Sequence, residues 1–311
     1  MRVLLTGATG FLGGTVWKIL EQNGYQVLAT GYTRSEGDVI PVDLTNREQV
    51  LSAFTQPCDA IVHLAADMPK LRGEQPNSVM IRNAIMADNV MTLAKLWSCH
   101  SLVKSRSCHI VYMSSTAVYG YPERIPVSED APVQPDSLYA RGKHLAELIC
   151  QQYEEEYSLP VTVLRISAPY GHGMPQHSVV AKFVKHALLG NDLVLFGTGN
   201  RSQDFTYVKD IVQATVKAVT LLANGVFNVG TGVSTPMRTL AELVLDITES
   251  KGTIVSSSGI EDLQEHFRMA VDISRAKQVL GYSPEYDLKR GITEYVEQQR
   301  SQHTLPHSSG E

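Results

Sequence analysis

The stretch Arg2-Val3-Leu4-Leu5-Thr6-Gly7-Ala8-Thr9-Gly10-Phe11-Leu12-Gly13 decides the fold of this chain. A short apolar run leads directly into three glycines, and an amphipathic stretch follows from Gly14 to about Asn23. This order predicts a strand, a glycine turn and a helix. Glycines let the backbone approach a pyrophosphate, which the unpaired N–H groups of a helix N-terminus attract. The spacing is Gly-x-x-Gly-x-x-Gly, and an ordinary tight turn is the alternative. Its position directly after the first strand favours dinucleotide binding.

Apolar runs and helical stretches continue to alternate downstream. This predicts an α/β fold with a Rossmann-type, doubly wound parallel sheet. We expect strands at 25–30, 39–42, 60–64, 109–113 and 161–166, and helices at about 78–104, 137–157, 179–189 and 210–222. Only a short loop joins the second and third strands, where such folds often place a helix. Beyond Gly171 the alternation is less regular.

We expect two domains and a tail. Residues 1–165 form the dinucleotide-binding domain with the catalytic groups, and residues 166–300 form mainly a smaller α/β substrate-binding domain. Some of its segments return to the first domain. Residues 301–311 are polar and are expected to be a flexible tail.

The composition is typical of a soluble enzyme. The chain has 311 residues, of which 43% are hydrophobic and 19% charged, enough for a large core. A net charge of −5 argues against a nucleic-acid partner. No apolar run is long enough for a membrane span, and the first is too short for a signal peptide. Four scattered cysteines and ten unclustered histidines predict reduced thiols, no metal and a cytoplasmic location.

Tyr139 and Lys143 are the candidate catalytic pair. Four residues apart on a helix, they share one face. A free tyrosine has a pKa near ~10, and a neighbouring ammonium or a nicotinamide cation favours its phenolate. The pair can therefore exchange a proton with a carbinol oxygen while hydride moves. The motif alone is weak, but it follows a nucleotide-binding start and a serine-bearing strand end in the right order.

Taken together, these motifs resemble the extended short-chain dehydrogenase/reductase superfamily, in its NAD(P)-dependent epimerase/dehydratase branch. The resemblance covers about residues 1–298. The matching segments are 6–13, Asp43-Leu44, His63-Leu64-Ala65-Ala66, Ser114-Ser115-Thr116-Ala117-Val118-Tyr119-Gly120, Tyr139-Ala140-Arg141-Gly142-Lys143, 164–171, 204–210, 227–232 and 280–284.

The resemblance implies roles for individual residues. Ser115 matches the catalytic hydroxyl, Tyr139 the general acid/base, and Lys143 the residue that lowers the tyrosine's pKa and holds the nicotinamide ribose. Cofactor contacts are implied for Gly7, Thr9, Gly10, Phe11, Leu12, Gly13, Asp43, Leu44, Leu64, Ala65, Ala66, Ser114, Tyr139, Lys143 and Pro169. Substrate contacts are implied for Thr116, Ala168, Arg201 and Arg268.

Several of these positions have simpler interpretations. Asp43 matches an acid that meets the adenine, but it could instead cap a turn. Ser114 fits a strand-end serine that bonds backbone. The family's helix asparagine could be Asn83, by local pattern, or Asn89, by distance to Ser115. His63 is better explained as a satisfied strand histidine, and Glu147 as a surface helix residue.

One departure from the family pattern concerns the cofactor. NAD-binding members usually place an acid at about Gly31, to hold the ribose 2′-hydroxyl. No acid stands there, and Arg34 follows, able to pair with a 2′-phosphate. This favours NADP over NAD. The alternative is that Arg34 lies in solvent and the cofactor is NAD.

Two further departures concern the substrate. Dehydratases of nucleotide-hexoses carry Asp-Glu after the catalytic hydroxyl, where this chain has Thr116-Ala117. Nucleotide-sugar epimerases usually have an arginine before Asp-Phe to grip the diphosphate, but here the residue is Gln203, and Ala168 replaces a frequent asparagine. Arg201 or Arg268 could substitute for that arginine.

The sequence therefore predicts an NAD(P)-dependent oxidoreductase or epimerase that transfers hydride at a secondary alcohol or ketone carbon. By resemblance the substrate is a nucleotide-activated sugar. A ketoreductase of a smaller, non-nucleotide molecule is the main alternative. A non-catalytic dinucleotide-sensing subunit is disfavoured because Ser115, Tyr139 and Lys143 are all present. The pattern leaves a homodimer open.

Overall fold

A computed structural model describes residues 1–32, 38–68, 77–100, 107–257 and 262–304, without the side chains of residues 100 and 302–304. The strands are β1 (Arg2–Thr6), β2 (Gln26–Gly31), β3 (Ile40–Pro41), β4 (Ala60–His63), β5 (His109–Ser115), β6 (Val161–Ile166), β7 (Pro169–Tyr170), β8 (Leu193–Leu195), β9 (Ser202–Gln203), β10 (Thr206–Tyr207), β11 (Gly225–Val229), β12 (Thr235–Pro236) and β13 (Ile254–Ser256). The helices are α1 (Gly13–Gln22), α2 (Arg47–Ala53), α3 (Asn77–His100), α4 (Leu138–Tyr157), α5 (Val179–Leu188), α6 (Val208–Leu221), α7 (Met237–Thr248), α8 (Ser274–Leu280) and α9 (Leu288–Thr304), with a short 3₁₀ helix at Thr116–Tyr119.

Seven parallel strands form the central sheet, in the order β11-β6-β5-β4-β1-β2-β3. The sequence-based prediction of a doubly wound parallel sheet is confirmed. Strands β4 and β6 are buried along their whole length, because helices cover both faces of the sheet. Neighbouring side chains of a strand point to opposite faces of the sheet. Val3 and Leu5 pack with α1 and α6, whereas Leu4 packs with α2, α3 and α4.

Element boundaries agree with the predicted ones to within a few residues where the chain is described. The helices α2, α7, α8 and α9 and the strands β7 to β13 had no counterpart in the prediction, and two of them are instructive. Helix α2 has seven residues and buries only Val50, so its periodic signal is weak; the side chain of Asn46 caps it by accepting from the Gln49 N–H at 3.1 Å. Strand β11 comes from the less regular second half of the chain, yet it pairs with β6 and extends the sheet.

The remaining strands form three small two-stranded sheets, β7 with β10, β8 with β13 and β9 with β12. Helices α5 and α7 pack together in this part of the molecule, while α6 packs against α1 and β5. The predicted boundary between residues 165 and 166 remains a prediction. Among the described helices, none is long and apolar enough to cross a membrane.

Candidate active site

The glycine turn between β1 and α1 contains glycines with different functions. Gly7 has a φ of 71°, and a Cβ there would lie 2.7 Å from the Ala65 nitrogen, so the turn packs directly on the segment after β4. A Cβ on Gly13 would lie 2.1 Å from the Gly7 oxygen. Gly10 differs, since a Cβ there would meet only the Gly7 oxygen, at 3.2 Å. Gly10 therefore leaves an open face beside the start of α1.

The start of α1 fits a pyrophosphate. Its N-cap residue, Leu12, makes no side-chain cap hydrogen bond, so the first-turn N–H groups are not taken up by a capping side chain of that residue. An open glycine face beside an uncapped helix N-terminus is the cradle that a dinucleotide phosphate requires. The predicted contacts of Thr9, Gly10, Phe11 and Gly13 are consistent with this geometry and remain predictions.

The cofactor-selecting position at the end of β2 is sterically restricted. A Cβ on Gly31 would lie 2.9 Å from the Thr9 Oγ1 atom, so a larger residue there requires the Thr9 side chain to move. Arg34, the predicted 2′-phosphate partner, lies outside the described residues.

Asp43 follows β3 and caps the turn before α2. Its Oδ1 accepts from the Thr45 N–H at 2.9 Å and from the Thr45 Oγ1 at 2.7 Å. Although burial opposes ionisation, these bonds keep the pKa of Asp43 below its ordinary value. Leu44 beside it is buried. The capping interpretation is thus seen directly, and an adenine contact remains a prediction.

Ser115, Tyr139 and Lys143 come together at the carboxyl end of β5. Ser115 ends that strand, and its Oγ accepts from the Ala117 N–H at 3.2 Å as the N-cap of the 3₁₀ helix. Helix α4 starts after Ser137, whose side chain caps it. This start brings Tyr139 into a hydrogen bond with Ser115. Lys143, one turn further, lies with its Nζ 6.0 Å from the Tyr139 ring centroid and donates to the Met113 carbonyl at 2.8 Å.

Burial dominates the electrostatics of this cluster. It raises the pKa of Tyr139 to about 12, against the opposing hydrogen bond from Ser115. The sequence-based expectation is that Lys143 lowers this pKa; in the protein alone burial sets the direction, and the opposing contribution comes from Ser115. Burial also lowers the pKa of Lys143 to about 8, against the opposing charge of Glu147. Both groups are therefore mainly protonated near neutral pH in the protein alone.

His63 ends β4 beside this cluster and is a satisfied core residue, as its sequence context suggests. Its Nδ1 lies 2.7 Å from the Thr6 Oγ1. Burial, and then the charge of Lys143, lower the pKa of His63 to about 3, so the ring is neutral. The next residues, Leu64, Ala65 and Ala66, are half-buried, and the first two adjoin the glycine turn.

Glu147 is not a surface residue, and that expectation is wrong. It is 7% exposed, and its carboxylate accepts from the Arg165 guanidinium at 3.0 and 2.7 Å and from the Ser114 hydroxyl. A signal was available in the sequence: Arg165 stands in the strand Val-Thr-Val-Leu-Arg-Ile, and a charge in a buried strand needs a partner. The Ser114 side chain is taken up by Glu147, so any cofactor contact of Ser114 remains a prediction.

The predicted substrate residues lie around the same edge of the sheet. Thr116 directly follows Ser115 and is largely buried. Ala168 and Pro169 follow β6, and Ala168 has a φ of 25°. The ring of Tyr121, which follows the 3₁₀ helix, packs edge-on against Phe267 with centroids 5.4 Å apart.

Both candidate arginines flank the segment around Phe267. Arg201 donates to the Gln264 side chain at 2.8 Å, and Arg268 donates to the carbonyls of Glu265 and Phe267 at 2.7 and 2.9 Å. Both are half-buried. The structure brings them to one loop, which Tyr121 connects to the strand end that carries Ser115.

The two asparagines of α3 hold different segments. Asn83 accepts from the Asp67 N–H at 2.9 Å and lies beside Gly142 of the catalytic helix. Asn89 donates to the Leu44 carbonyl at 2.8 Å, on the predicted adenine side. Among the described residues, no group of three or more His, Cys, Asp or Glu side chains could hold a metal ion.

Comparisons with known proteins identify the family of this chain. Residues 3–230 match the model of the NAD dependent epimerase/dehydratase family, and the chain belongs to that family of NAD-dependent enzymes. It is 31% identical to a UDP-glucose 4-epimerase of Mycolicibacterium smegmatis, over 96% of this chain and 98% of that protein.

Solved structures of two epimerases resemble the fold closely. A UDP-glucose 4-epimerase of Thermotoga maritima, solved with UDP-glucose, superimposes with a TM-score of 0.86 at 26% identity, over 97% of this chain and all of that one. A UDP-glucose 4-epimerase of Thermus thermophilus, solved with NAD, gives a TM-score of 0.83 at 26% identity, over 96% of this chain and 99% of that one.

Proposed function

We propose that this protein is an NAD(P)-dependent epimerase that inverts a secondary alcohol carbon of a nucleotide-activated sugar. The observation that carries the proposal is the hydrogen-bonded pair of Ser115 and Tyr139 with Lys143 one helical turn away, beside an open glycine cradle. The UDP-glucose named for the Thermotoga maritima relative supports a nucleotide sugar as substrate.

The chain's own residues supply the proton chemistry. A bound nicotinamide dinucleotide supplies the hydride acceptor and donor in such reactions. In its phenolate form Tyr139 Oη takes the proton from the carbinol oxygen, and in its phenol form it returns the proton to the carbonyl oxygen, while Ser115 Oγ orients that oxygen. The ammonium of Lys143, held on the Met113 carbonyl, keeps two further N–H donors for a ribose and favours the phenolate when Tyr139 loses its proton.

Replacing Tyr139 tests the proposal directly. We expect Tyr139→Phe to lower the rate of interconversion of UDP-hexose epimers by ~10²–10⁴-fold or more, because only the hydroxyl carries the proton. Dinucleotide affinity, measured by calorimetry, should be nearly unchanged. Tyr157→Phe, on the exposed end of the same helix, is the matched control. Near-wild-type turnover of Tyr139→Phe contradicts the assignment.

A ketoreductase of a non-nucleotide molecule is the second candidate, favoured by Gln203 at the usual diphosphate-gripping position. The two are separated by the fate of the cofactor. An epimerase leaves the absorbance at 340 nm unchanged over many turnovers, whereas a reductase consumes one reduced cofactor per product. A sensing subunit turns over neither substrate class. The cofactor and small molecules that copurify, read by mass spectrometry, decide among the three.

We propose that Arg201 or Arg268 grips the substrate diphosphate in place of the missing arginine. Arg201 bonds Gln264 of the loop that carries Arg268, which supports this. Arg201→Ala or Arg268→Ala should raise KM for the UDP-sugar at least tenfold while leaving dinucleotide affinity unchanged. Arg238→Ala, which removes an exposed guanidinium that bonds the Thr198 carbonyl, is the control. If KM is unchanged in both variants, neither arginine binds the diphosphate.

NADP preference remains a prediction from the sequence. It rests on Arg34 and on the absence of an acid at Gly31, where Thr9 crowds any side chain. We expect a preference of a few-fold to a hundredfold, since each ~1.4 kcal/mol is a factor of ten. Arg34→Ala should weaken NADP binding and spare NAD. An enzyme that copurifies with NAD refutes this preference.

We also propose a homodimer through α3 and α4. Ile81 and Ile85 of α3 and Leu145 and Leu148 of α4 are all 37–49% exposed. The two helices run side by side, with Met80 next to Gly142 and Thr92 bonded to Tyr153, so these four side chains lie at one level. Light scattering should give a dimer that Leu148→Glu dissociates and that Leu189→Glu, at another exposed leucine, does not.

A further inference from the structure

The catalytic helix carries a third buried functional group beyond the tyrosine and lysine. Tyr139, Lys143 and Glu147 follow one another at intervals of four, which places them along one stripe of α4. Lys143 is 3% and Glu147 7% exposed. The stripe faces the carboxyl end of β5, and it touches that strand at two successive residues. Lys143 bonds the Met113 carbonyl, and Glu147 bonds the Ser114 hydroxyl.

Arg165 completes the connection. It pairs in register with Ser114 on the neighbouring strand β6 and grips the Glu147 carboxylate with two nitrogens, at 3.0 and 2.7 Å. Such a two-point pair fixes orientation as well as distance. The third guanidinium nitrogen donates to the Tyr119 hydroxyl at 3.0 Å and to the Glu129 carbonyl at 3.2 Å.

The segment that carries Ser115 is therefore held from both sides. Ser114, just before it, is bound by Glu147, and Tyr119, at the end of the 3₁₀ helix, is bound by Arg165. Because both anchors converge on one ion pair, a shift of that pair moves the Ser115 hydroxyl relative to Tyr139.

Stability alone does not account for a buried ion pair at this position. Removing two charges from water is costly, and well-packed apolar side chains of similar size are often as stable or more so. Burial raises the pKa of Glu147, but the combined hydrogen bonds and charges around it keep that pKa below its ordinary value, so the group is charged. His144, whose Nδ1 lies 3.9 Å from Oε2, and Arg165 both contribute to this lowering. Arg165 and Ser114 hydrogen-bond its carboxylate.

We propose that Glu147 is a positioning residue of the active site, which works through Arg165 and Ser114 to fix the Ser115 hydroxyl against Tyr139. The proposal rests on the catalytic roles proposed above for Ser115 and Tyr139. Nothing in it requires Glu147 to touch the substrate or the cofactor.

The test separates positioning from stability by replacing both charges together. In the double variant Glu147→Met/Arg165→Met both members of the ion pair are removed together, so we expect resistance to urea close to that of the wild type. Lys143 loses the nearby charge of Glu147 in this variant, so kcat is compared at a pH below 8, where Lys143 is protonated in the wild type. We expect kcat to fall about 10–100-fold, since a misplacement near 1 Å can cost that much. KM for the sugar and Kd for the dinucleotide should stay within twofold. Glu155→Met, on the exposed face of α4, is the matched control.

Each outcome decides the proposal. A folded double variant with kcat within threefold of wild type overturns it, and so does a parallel loss of kcat and dinucleotide affinity, which indicates general distortion. If the double variant does not fold, Ser114→Ala decides, since it removes only the Ser114–Glu147 bond: a kcat loss of fivefold or more supports the proposal and an unchanged kcat overturns it.

A crystal structure of the same variant gives a readout that needs no substrate. The distance between Ser115 Oγ and Tyr139 Oη should lengthen beyond hydrogen-bond range, and an unchanged distance overturns the proposal. Absence of turnover in the wild type, by contrast, counts against the proposed function and leaves this distance test intact.

Discussion

At the residue scale, Gly10 is expected to matter for dinucleotide binding and Gly13 for folding. Gly10 has an ordinary φ and an open face, so Gly10→Val should fold but weaken dinucleotide binding, because the side chain occupies the space of the pyrophosphate. Gly13→Ala should fail to fold normally, since its Cβ would lie 2.1 Å from the Gly7 oxygen. Circular dichroism and calorimetry distinguish the two effects. Unaltered dinucleotide affinity in folded Gly10→Val would falsify the proposal that this turn binds the pyrophosphate.

Lys143 is expected to cost the protein stability near neutral pH. Its pKa in the folded chain is about 8, below the ordinary 10.5, so between these pH values the unfolded chain binds more protons and stability rises with pH. Relative to Lys143→Met, the wild type should gain on the order of 1–3 kcal/mol of unfolding free energy from pH 8 to 10.5. Urea titrations of both proteins across this range measure the difference. A constant difference means that Lys143 is not desolvated.

At the residue scale, a candidate site can be read from the sequence where its residues have a regular local spacing. Tyr139 and Lys143 stand four apart, and the glycines follow a strand, so both features can be read locally. The Glu147–Arg165 pair joins residues 18 apart through the fold, and no local spacing announces it. The raised pKa of Tyr139 depends on how deeply its hydroxyl is buried, which only the packed structure defines.

At the element scale, the connection from β6 to β7 contains a strained residue. Ala168 has a φ of 25°, in the left-handed region that disfavours a Cβ, and its carbonyl accepts from the Thr206 N–H at 3.2 Å. Ala168→Gly should therefore raise the unfolding free energy by up to about 1 kcal/mol. Ala84→Gly, within α3, should lower it by about 1 kcal/mol. A loss of stability in Ala168→Gly contradicts the strain.

The elements that could be predicted are those with long, regular patterns. Strand β6 and helix α4 were placed within a residue, since their apolar periodicity extends over their whole length. Helix α2 buries a single residue, and β11 lies beyond a stretch of short irregular strands, so neither has a period that stands out. The pairing of β11 with β6 is a long-range contact, which propensity does not encode.

At the scale of the whole molecule, Asn228 ties the edge of the sheet to the distant parts of the chain. Its Oδ1 accepts from the Tyr119 hydroxyl at 2.7 Å, and its Nδ2 donates to the carbonyls of Val127 and Asp272 at 2.9 and 3.2 Å. Asn228→Ala removes three hydrogen bonds and should cost about 2–4 kcal/mol, at ~0.5–1.5 kcal/mol for each bond lost. Exposed Asn23→Ala should cost far less. Chemical denaturation measures the unfolding free energy of both variants, and equal losses contradict this structural role of Asn228.

The position of β11 in the sheet determines how long β6 lacks its outer neighbour while the chain is synthesised. Strand β6 ends at Ile166, but its outer neighbour begins only at Gly225. A ribosome adding about 5–20 residues per second needs roughly 3–12 s to make the intervening segment. Throughout that interval the nascent chain exposes the unpaired edge of a mainly apolar strand, the kind of surface that pairs with other chains. We therefore expect this protein to be most prone to aggregation, and most in need of chaperones, during that interval.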